Sequence, residues 1–170
     1  WFPCIDRPDD RATSEVRVEL PAHWIAVAAG ERIDRVDGTG MAVEHWRMST
    51  PHPPYLLTLV AGDLAIVEDE WQGVPLSFLA PREHAELLSA NFAETGAMLS
   101  FFSGLTGVRY PYSKYSQACV DGFPFGGMEN ISATTLTTSA LDDVRGARDG
   151  DIVGLLAHEA AHQWFGDLLT

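Results

Sequence analysis

The stretch LLAHEAAHQWFGDLLT, residues 155–170, decides how the rest of the chain is read. It holds His158, Glu159 and His162 in the pattern H-E-x-x-H. Just upstream, Ile152, Val153, Leu155 and Leu156 supply an apolar face, and Asp149 or Asp151 can cap the helix that this spacing predicts. Residues four apart lie one turn apart on the same helix face, so the two imidazoles can bind one zinc ion together. Glu159 sits beside that face and can reach a water on the metal. A bare pair of histidines at this spacing more often has ordinary partners; the glutamate between them is what favours a metal.

Composition narrows the alternatives. The chain has 170 residues, enough for one domain or parts of two, and 46% of them are hydrophobic, so a real core is expected. The formal net charge is −13, which argues against nucleic-acid binding because phosphate contacts need clustered Lys and Arg. Such acidity can draw in cationic groups such as a peptide amino terminus, although a solvated acidic surface is the simpler account. No apolar run approaches the ~20 residues of a membrane span. Cys4 and Cys119 are too few and too far apart for a disulfide framework or a cysteine zinc site, and both are expected to be buried thiols.

The two ends carry information of their own. The chain begins at Trp1, in WFPC, with no initiator methionine and no signal-like segment, so its cellular location is not legible. A zinc site needs a third protein ligand as well as its water. The extended form H-E-x-x-H-x-x-G-x-x-H would supply it six residues after His162, but the glycine and histidine positions hold Phe165 and Leu168. We therefore expect a fragment of a longer protein, cut at both ends.

Residues 1 to about 75 read as strands. TSEVRVEL at 13–20 alternates, with Val16, Val18 and Leu20 on one side and Glu15, Arg17 and Glu19 on the other. Further strands are expected at 24–28, at 31–36 and 41–48 around the hairpin turn Asp37-Gly38-Thr39-Gly40, and at 55–61, 64–67 and 74–79. Trp24, Trp46 and Trp71 are read as core or sheet-face residues. From Pro81 the texture changes. Residues 82–106 place Leu87, Leu88, Phe92, Leu99, Phe102 and Leu105 at roughly helical spacing, which predicts one long amphipathic helix ended by Gly104 and Gly107. A domain boundary falls near residues 75–82. Strands are predicted at 115–120 and, near a sheet edge, at 131–138; residues 140–150 form a polar connector. Between those strands lies DGFPFGGMEN, 121–130. Paired glycines such as Gly126-Gly127 let a backbone bend sharply or let another chain approach its N–H and C=O groups. On spacing alone, Glu129 is a surface glutamate beside a turn.

At this point the chain resembles the aminopeptidase N-like zinc metallopeptidases, the exopeptidase branch of the gluzincins. WFPCIDRP at 1–8, YPYSKY at 110–115, GGMEN at 126–130 and HEAAHQWFGDLLT at 158–170 carry the likeness, in the family's order and at about its spacing. The resemblance implies an α+β fold. Residues 1–79 would be the C-terminal part of a β-sandwich-like N-terminal domain, antiparallel and β-rich. Residues 80–170 would be the first part of a thermolysin-like zinc peptidase domain, truncated after the HExxH helix. It implies that His158 and His162 bind Zn2+, one ion per complete site, and that Glu159 is the general base. Gly126, Gly127 and Met128 would pair with the substrate backbone, and Glu129 would hold the free α-amine of a peptide substrate. The third ligand, a glutamate, and a transition-state tyrosine are expected beyond Thr170.

The implied activity is a zinc-dependent aminopeptidase that hydrolyses the N-terminal peptide bond of peptides, with the 170 residues alone inactive or nearly so and prone to self-association. The rivals are a non-catalytic scaffold or binding relative, against which Glu129 and Glu159 both count, and a thermolysin-type endopeptidase, against which GGMEN counts. One arm of the family also hydrolyses a lipid epoxide. Two positions depart from the pattern. Gly127 stands where alanine is usual, removing a methyl group. Asp167 stands where asparagine is more frequent, adding a negative charge near the helix end, or alternatively an acceptor for a metal-bound histidine.

Overall fold

The computed structural model describes residues 1–142 and 151–169. The expected cap at Asp149 or Asp151 and most of the connector 140–150 fall on residues or side chains outside that description.

The first strands form as their alternation dictates. Strand β1, Ala12–Pro21, turns Leu20 inward with Val16 and Val18 half-buried, while Glu15, Arg17 and Glu19 stay in solvent. Strand β2 is Ile25–Ala28, and β3, Glu31–Asp37, turns back into β4, Met41–His52. The order β1-β4-β3 makes an antiparallel three-stranded sheet. Glu44 on β4 is fully buried, and it is satisfied there by Arg35 at 2.7 Å and by the Trp46 indole N–H at 2.9 Å. Trp46 and Trp71 are core residues, as expected, and Trp24 is half-buried.

Two expected elements are broken by tertiary demands. The predicted strand at 55–61 begins instead as a 3-10 turn, Pro54–Leu56, and only Leu59–Gly62 (β5) pairs, with β2. Pro53 and Pro54 lack backbone donors, and the carbonyl of fully buried Leu56 accepts from Ile131 N–H at 3.2 Å. After β6, Leu64–Trp71, and β7, Val74–Pro81, the predicted long helix is three pieces. These are a 3-10 turn Arg82–Leu87, the single turn α1, Leu88–Asn91, and α2, Thr95–Thr106. Periodicity could not show the break. Asn91 spends its amide on the carbonyls of Leu87 and Asp142 and on the Asp142 N–H. Phe92 stacks on Phe78 at 4.9 Å. Gly107, at φ 69°, ends α2 in the left-handed conformation.

The chain then adds β8, Tyr115–Val120, the two-residue strand β9, Gly127–Met128, and β10, Ala133–Thr137. They join β6 and β7 in a five-stranded sheet of order β6-β7-β8-β10-β9. Pairing is antiparallel at β6/β7 and β10/β9 and parallel at β7/β8 and β8/β10. This sheet runs through the expected division at residues 79 and 80. Strand β10, expected near an edge, is paired on both sides, and the terminal strand of the order is β9. Helix α3, Asp151–His162, covers the sheet by burying Ile152, Leu156 and Ala160, followed by Trp164, in the main core with Tyr115, Ile131 and Leu136. Cys119 is buried as expected, but Cys4 is exposed, in the N-terminal run 1–11 that contains no strand. No described helix is long and apolar enough to cross a membrane.

Gly30 sits where the first part of the chain meets the five-stranded sheet. Its φ is +76°, a Cβ there would overlap the Arg47 carbonyl, and its N–H donates to Ser132 Oγ at 2.8 Å. Gly30→Ala should therefore lower stability by more than the roughly 1–2 kcal/mol of the left-handed backbone alone. Chemical denaturation of both proteins checks this, and equal midpoints would contradict it.

Candidate functional site

The H-E-x-x-H residues lie in the last turns of α3. The buried stripe of the helix faces the sheet, so positions 158 and 162 fall on its outer side. His158 is exposed and His162 half-exposed. Their rings stand nearly perpendicular, at 83° and 4.7 Å between centroids, and their Nε2 atoms are 3.1 Å apart. His162 Nδ1 lies 2.9 Å from the Phe165 carbonyl. Donation to that oxygen leaves the Nε2 lone pair free to coordinate a metal. Two nitrogens each about 2.0–2.1 Å from a tetrahedral zinc would sit roughly 3.3 Å apart, so the pair suits two positions of such an ion. Among the described residues, no group of three or more His, Cys, Asp or Glu gathers to hold a metal. The acceptor for His162 is thus a backbone carbonyl and not Asp167.

Glu159 turns the other way, onto the loop that carries the paired glycines. It is 4% exposed, and a Cβ at Gly127 would overlap its carboxylate. The missing methyl at 127 thus makes room for this side chain. Gly127 and Met128 are held by β10, pairing with Leu136 and Thr135, and the Gly126 carbonyl accepts from Thr137 N–H at 3.0 Å. Glu129 and Asn130 follow directly. Asn130 Oδ1 accepts from Thr135 Oγ1 at 2.8 Å, which pins the loop from inside.

Gln163, the residue after His162, joins the helix end to this loop. It is fully buried; its Oε1 accepts from Ser132 N–H at 2.8 Å, and its Nε2 donates to the Glu129 carbonyl at 3.1 Å. Sequence reasoning passed over it, although a polar residue between His162 and Trp164 on an inward-turning segment was a signal. Lys114 was likewise passed over. Its ammonium donates to the carbonyls of Ala28 and Ser132, both at 2.8 Å, and lies 5.6 Å from the Trp46 ring centre. Burial draws its pKa down to about 7.

Two carboxylates near the end of α3, Glu159 and Asp167, feel the charge of Glu129. Burial, then the charge of Glu129, pushes Glu159 up to about 7, while His162 acts the other way. Asp167 lies beyond the helix, which ends at His162, so its charge does not fall on the last helical turn. It is folded inward, 1% exposed, with its N–H donating to the His162 carbonyl at 3.1 Å. Neither carboxylate oxygen has a hydrogen-bond partner among the described residues. Burial, then Glu129 and Glu159, pushes its pKa up to about 9.

Comparison with known proteins supplies the context. A family model described as the peptidase family M1 domain matches residues 90–170, and one described as the peptidase M1 N-terminal domain matches residues 1–56. Aminopeptidase B of Rattus norvegicus is 32% identical, over 100% of this chain and 25% of that protein. Leukotriene A-4 hydrolase of Xenopus laevis is 31% identical, over 99% of this chain and 27% of its own length. Aminopeptidase N of Acetobacter pasteurianus is 31% identical, over 99% and 49%. The chain thus spans between about a quarter and about half of these relatives.

The raised carboxyl groups have a consequence for stability. An acid whose pKa is higher in the folded state holds its proton more tightly there, so unfolding becomes easier as pH rises between the two values. For Asp167 that window runs from its ordinary 3.8 to about 9, and for Glu159 from 4.5 to about 7. These two carboxyls should therefore weaken the metal-free fold progressively from about pH 4, while Lys114, drawn down to about 7, works the other way above that pH. Asp167→Asn should match the parent at pH 4 and melt higher at pH 9, by at least the ~1.4 kcal/mol of one pKa unit. Parallel melting curves across that range would contradict this.

Proposed function

The chain belongs to peptidase family M1, and on that premise we propose that it comes from a zinc-dependent aminopeptidase acting on peptides with a free amino terminus. The observation that carries this reading is the contact between two motifs. The Glu159 carboxylate lies against Gly127, in the loop that bears Glu129, while His158 and His162 present paired Nε2 atoms on the adjoining helix face. Residues up to about 79 would complete an N-terminal β part and those from about 80 would begin a thermolysin-like catalytic part, with β7 shared between them.

In this reading, His158 and His162 are two of the zinc ligands, and a glutamate outside these residues is the third. Bound zinc would lower the pKa of its water to about 7 and polarise the scissile carbonyl. A peptide substrate would extend the sheet at β9, the terminal strand, using the backbone of Gly126, Gly127 and Met128. Glu129 would receive the α-ammonium in a charge-assisted hydrogen bond and so fix the register one residue from the cut. Glu159 would take a proton from the attacking water on a carboxylate oxygen and return it to the leaving nitrogen. Its raised pKa suits that exchange near neutral pH. An internal peptide segment would leave Glu129 desolvated and unpaired, which disfavours an endopeptidase.

Two variants of the full-length protein separate the roles. Glu159→Gln should lower kcat by about 10²–10⁴-fold with zinc content unchanged. Glu129→Gln should instead erase the preference for a free-amine peptide over its acetylated form. If that preference survives, Glu129 is not the anchor and the exopeptidase reading loses its main support.

The 170 residues by themselves, carrying two histidine ligands, should show little or no turnover. They are also expected to self-associate through the exposed Leu105, Phe165 and Leu169. Strong chelator-sensitive activity from this chain alone would contradict the incomplete ligand set.

A further inference from the structure

We propose that Gln163 is a positioning residue that sets the separation between the histidine-bearing helix and the amine-binding carboxylate Glu129. The inference rests on the role given above to Glu129. Aminopeptidase chemistry requires two fixed points, one at the scissile carbonyl and one at the α-amine. Here those points lie on different elements, the end of α3 and the loop 126–132, far apart in sequence. Something must hold them in register, because a displacement of about 1 Å can cost on the order of 10²-fold in rate.

Gln163 is the only residue among those described whose side chain has hydrogen bonds to two or more residues of segment 129–132 from the helix side. Its amide is used at both ends. Oε1 takes the Ser132 N–H at 2.8 Å; Nε2 gives to the Glu129 carbonyl at 3.1 Å, with the Asn130 carbonyl farther off at 3.5 Å. The side chain is fully buried, so water does not replace these bonds easily. An amide is the suitable group: a carboxylate has no donor for the two carbonyls, and a shorter asparagine would not span the gap. The residue is anchored in turn, since the Tyr112 hydroxyl donates to its carbonyl at 3.3 Å.

The far side of the clamp is equally fixed. Ser132 has φ 59°, a left-handed conformation unusual for a residue with a side chain. Such a conformation persists only when its surroundings over-determine it. Ser132 Oγ accepts from Gly30 N–H at 2.8 Å, and its carbonyl accepts from Lys114 Nζ at 2.8 Å and Ser116 N–H at 3.0 Å. Gln163 therefore holds a segment that is fixed at its C-terminal end, so loss of this hold would be felt at Glu129, three residues earlier and bonded to Gln163 through its own carbonyl. Gln163 itself touches neither histidine nitrogen.

The test uses full-length, zinc-loaded protein and two probes. Leucine hydroxamate carries a free amine; 4-methylpentanoic hydroxamate is the same molecule without it. The ratio of their inhibition constants reads the amine contact alone, because both grip the metal alike. Gln163→Met keeps the volume and removes the polar ends, and Gln163→Glu keeps the outline should the methionine variant not fold. Each is expected to reduce the free-amine advantage about tenfold or more, with zinc content and affinity for the desamino probe retained. An unchanged ratio, or equal weakening of both probes, would overturn the inference and leave Gln163 a packing residue. A ratio lost in Glu129→Gln but kept in both Gln163 variants would sink this inference alone. A ratio near one in the parent protein would sink the role of Glu129, and this inference with it.

Discussion

Helix α3 has to satisfy two faces at once. Ile152, Leu156 and Ala160 recur at four-residue spacing and bury against the sheet, and Trp164 continues the stripe past the helix end. His158 and His162 share that same period but are offset by two residues, which turns them to the opposite side. The apolar stripe thereby aims the imidazoles and keeps their Nε2 atoms 3.1 Å apart. Everything else in the site depends on this orientation. Glu159, between the two faces, is driven onto Gly127, and Gln163, one residue past the second histidine, is driven onto the loop after Met128.

This placement also concentrates negative charge. Burial, and after it the charge of neighbouring carboxylates, raises the pKa of Glu159 and Asp167, in a chain that already carries a net charge of −13. Like charges held together in a partly desolvated site destabilise the fold unless a cation joins them. In the proposed reading, a metal ion on one side and a substrate ammonium on the other would relieve that repulsion.

Much of this was legible beforehand because the signals were periodic. Strand β1 declared itself by alternation, the β3–β4 hairpin by its Asp-Gly-Thr-Gly turn, and α3 by the apolar residues Ile152, Val153, Leu155 and Leu156, of which Val153 proves exposed. The failures came where side chains far apart in sequence override the local pattern. The helix expected over 82–106 is interrupted because Asn91 binds Asp142 and Phe92 stacks on Phe78. The strand expected from Tyr55 is delayed by a proline-led turn whose Leu56 carbonyl serves Ile131. Cys4 lies in the exposed N-terminal run, which no local signal marked. Within the site, the H-E-x-x-H spacing and the resemblance carried by Gly-Gly-Met-Glu-Asn marked candidate residues, but the contact of the two segments through Glu159 and Gln163 was not legible. Such contacts are properties of the folded sheet and helix together.

The central claim is that His158 and His162 bind one zinc ion. X-ray absorption at the zinc edge of the full-length protein tests it directly. The account predicts one zinc per chain with two imidazole nitrogens at about 2.0–2.1 Å, one of which disappears in His162→Ala. Stoichiometric zinc whose surroundings are the same in the parent and in His162→Ala would contradict it, as would a fully active protein that holds no zinc.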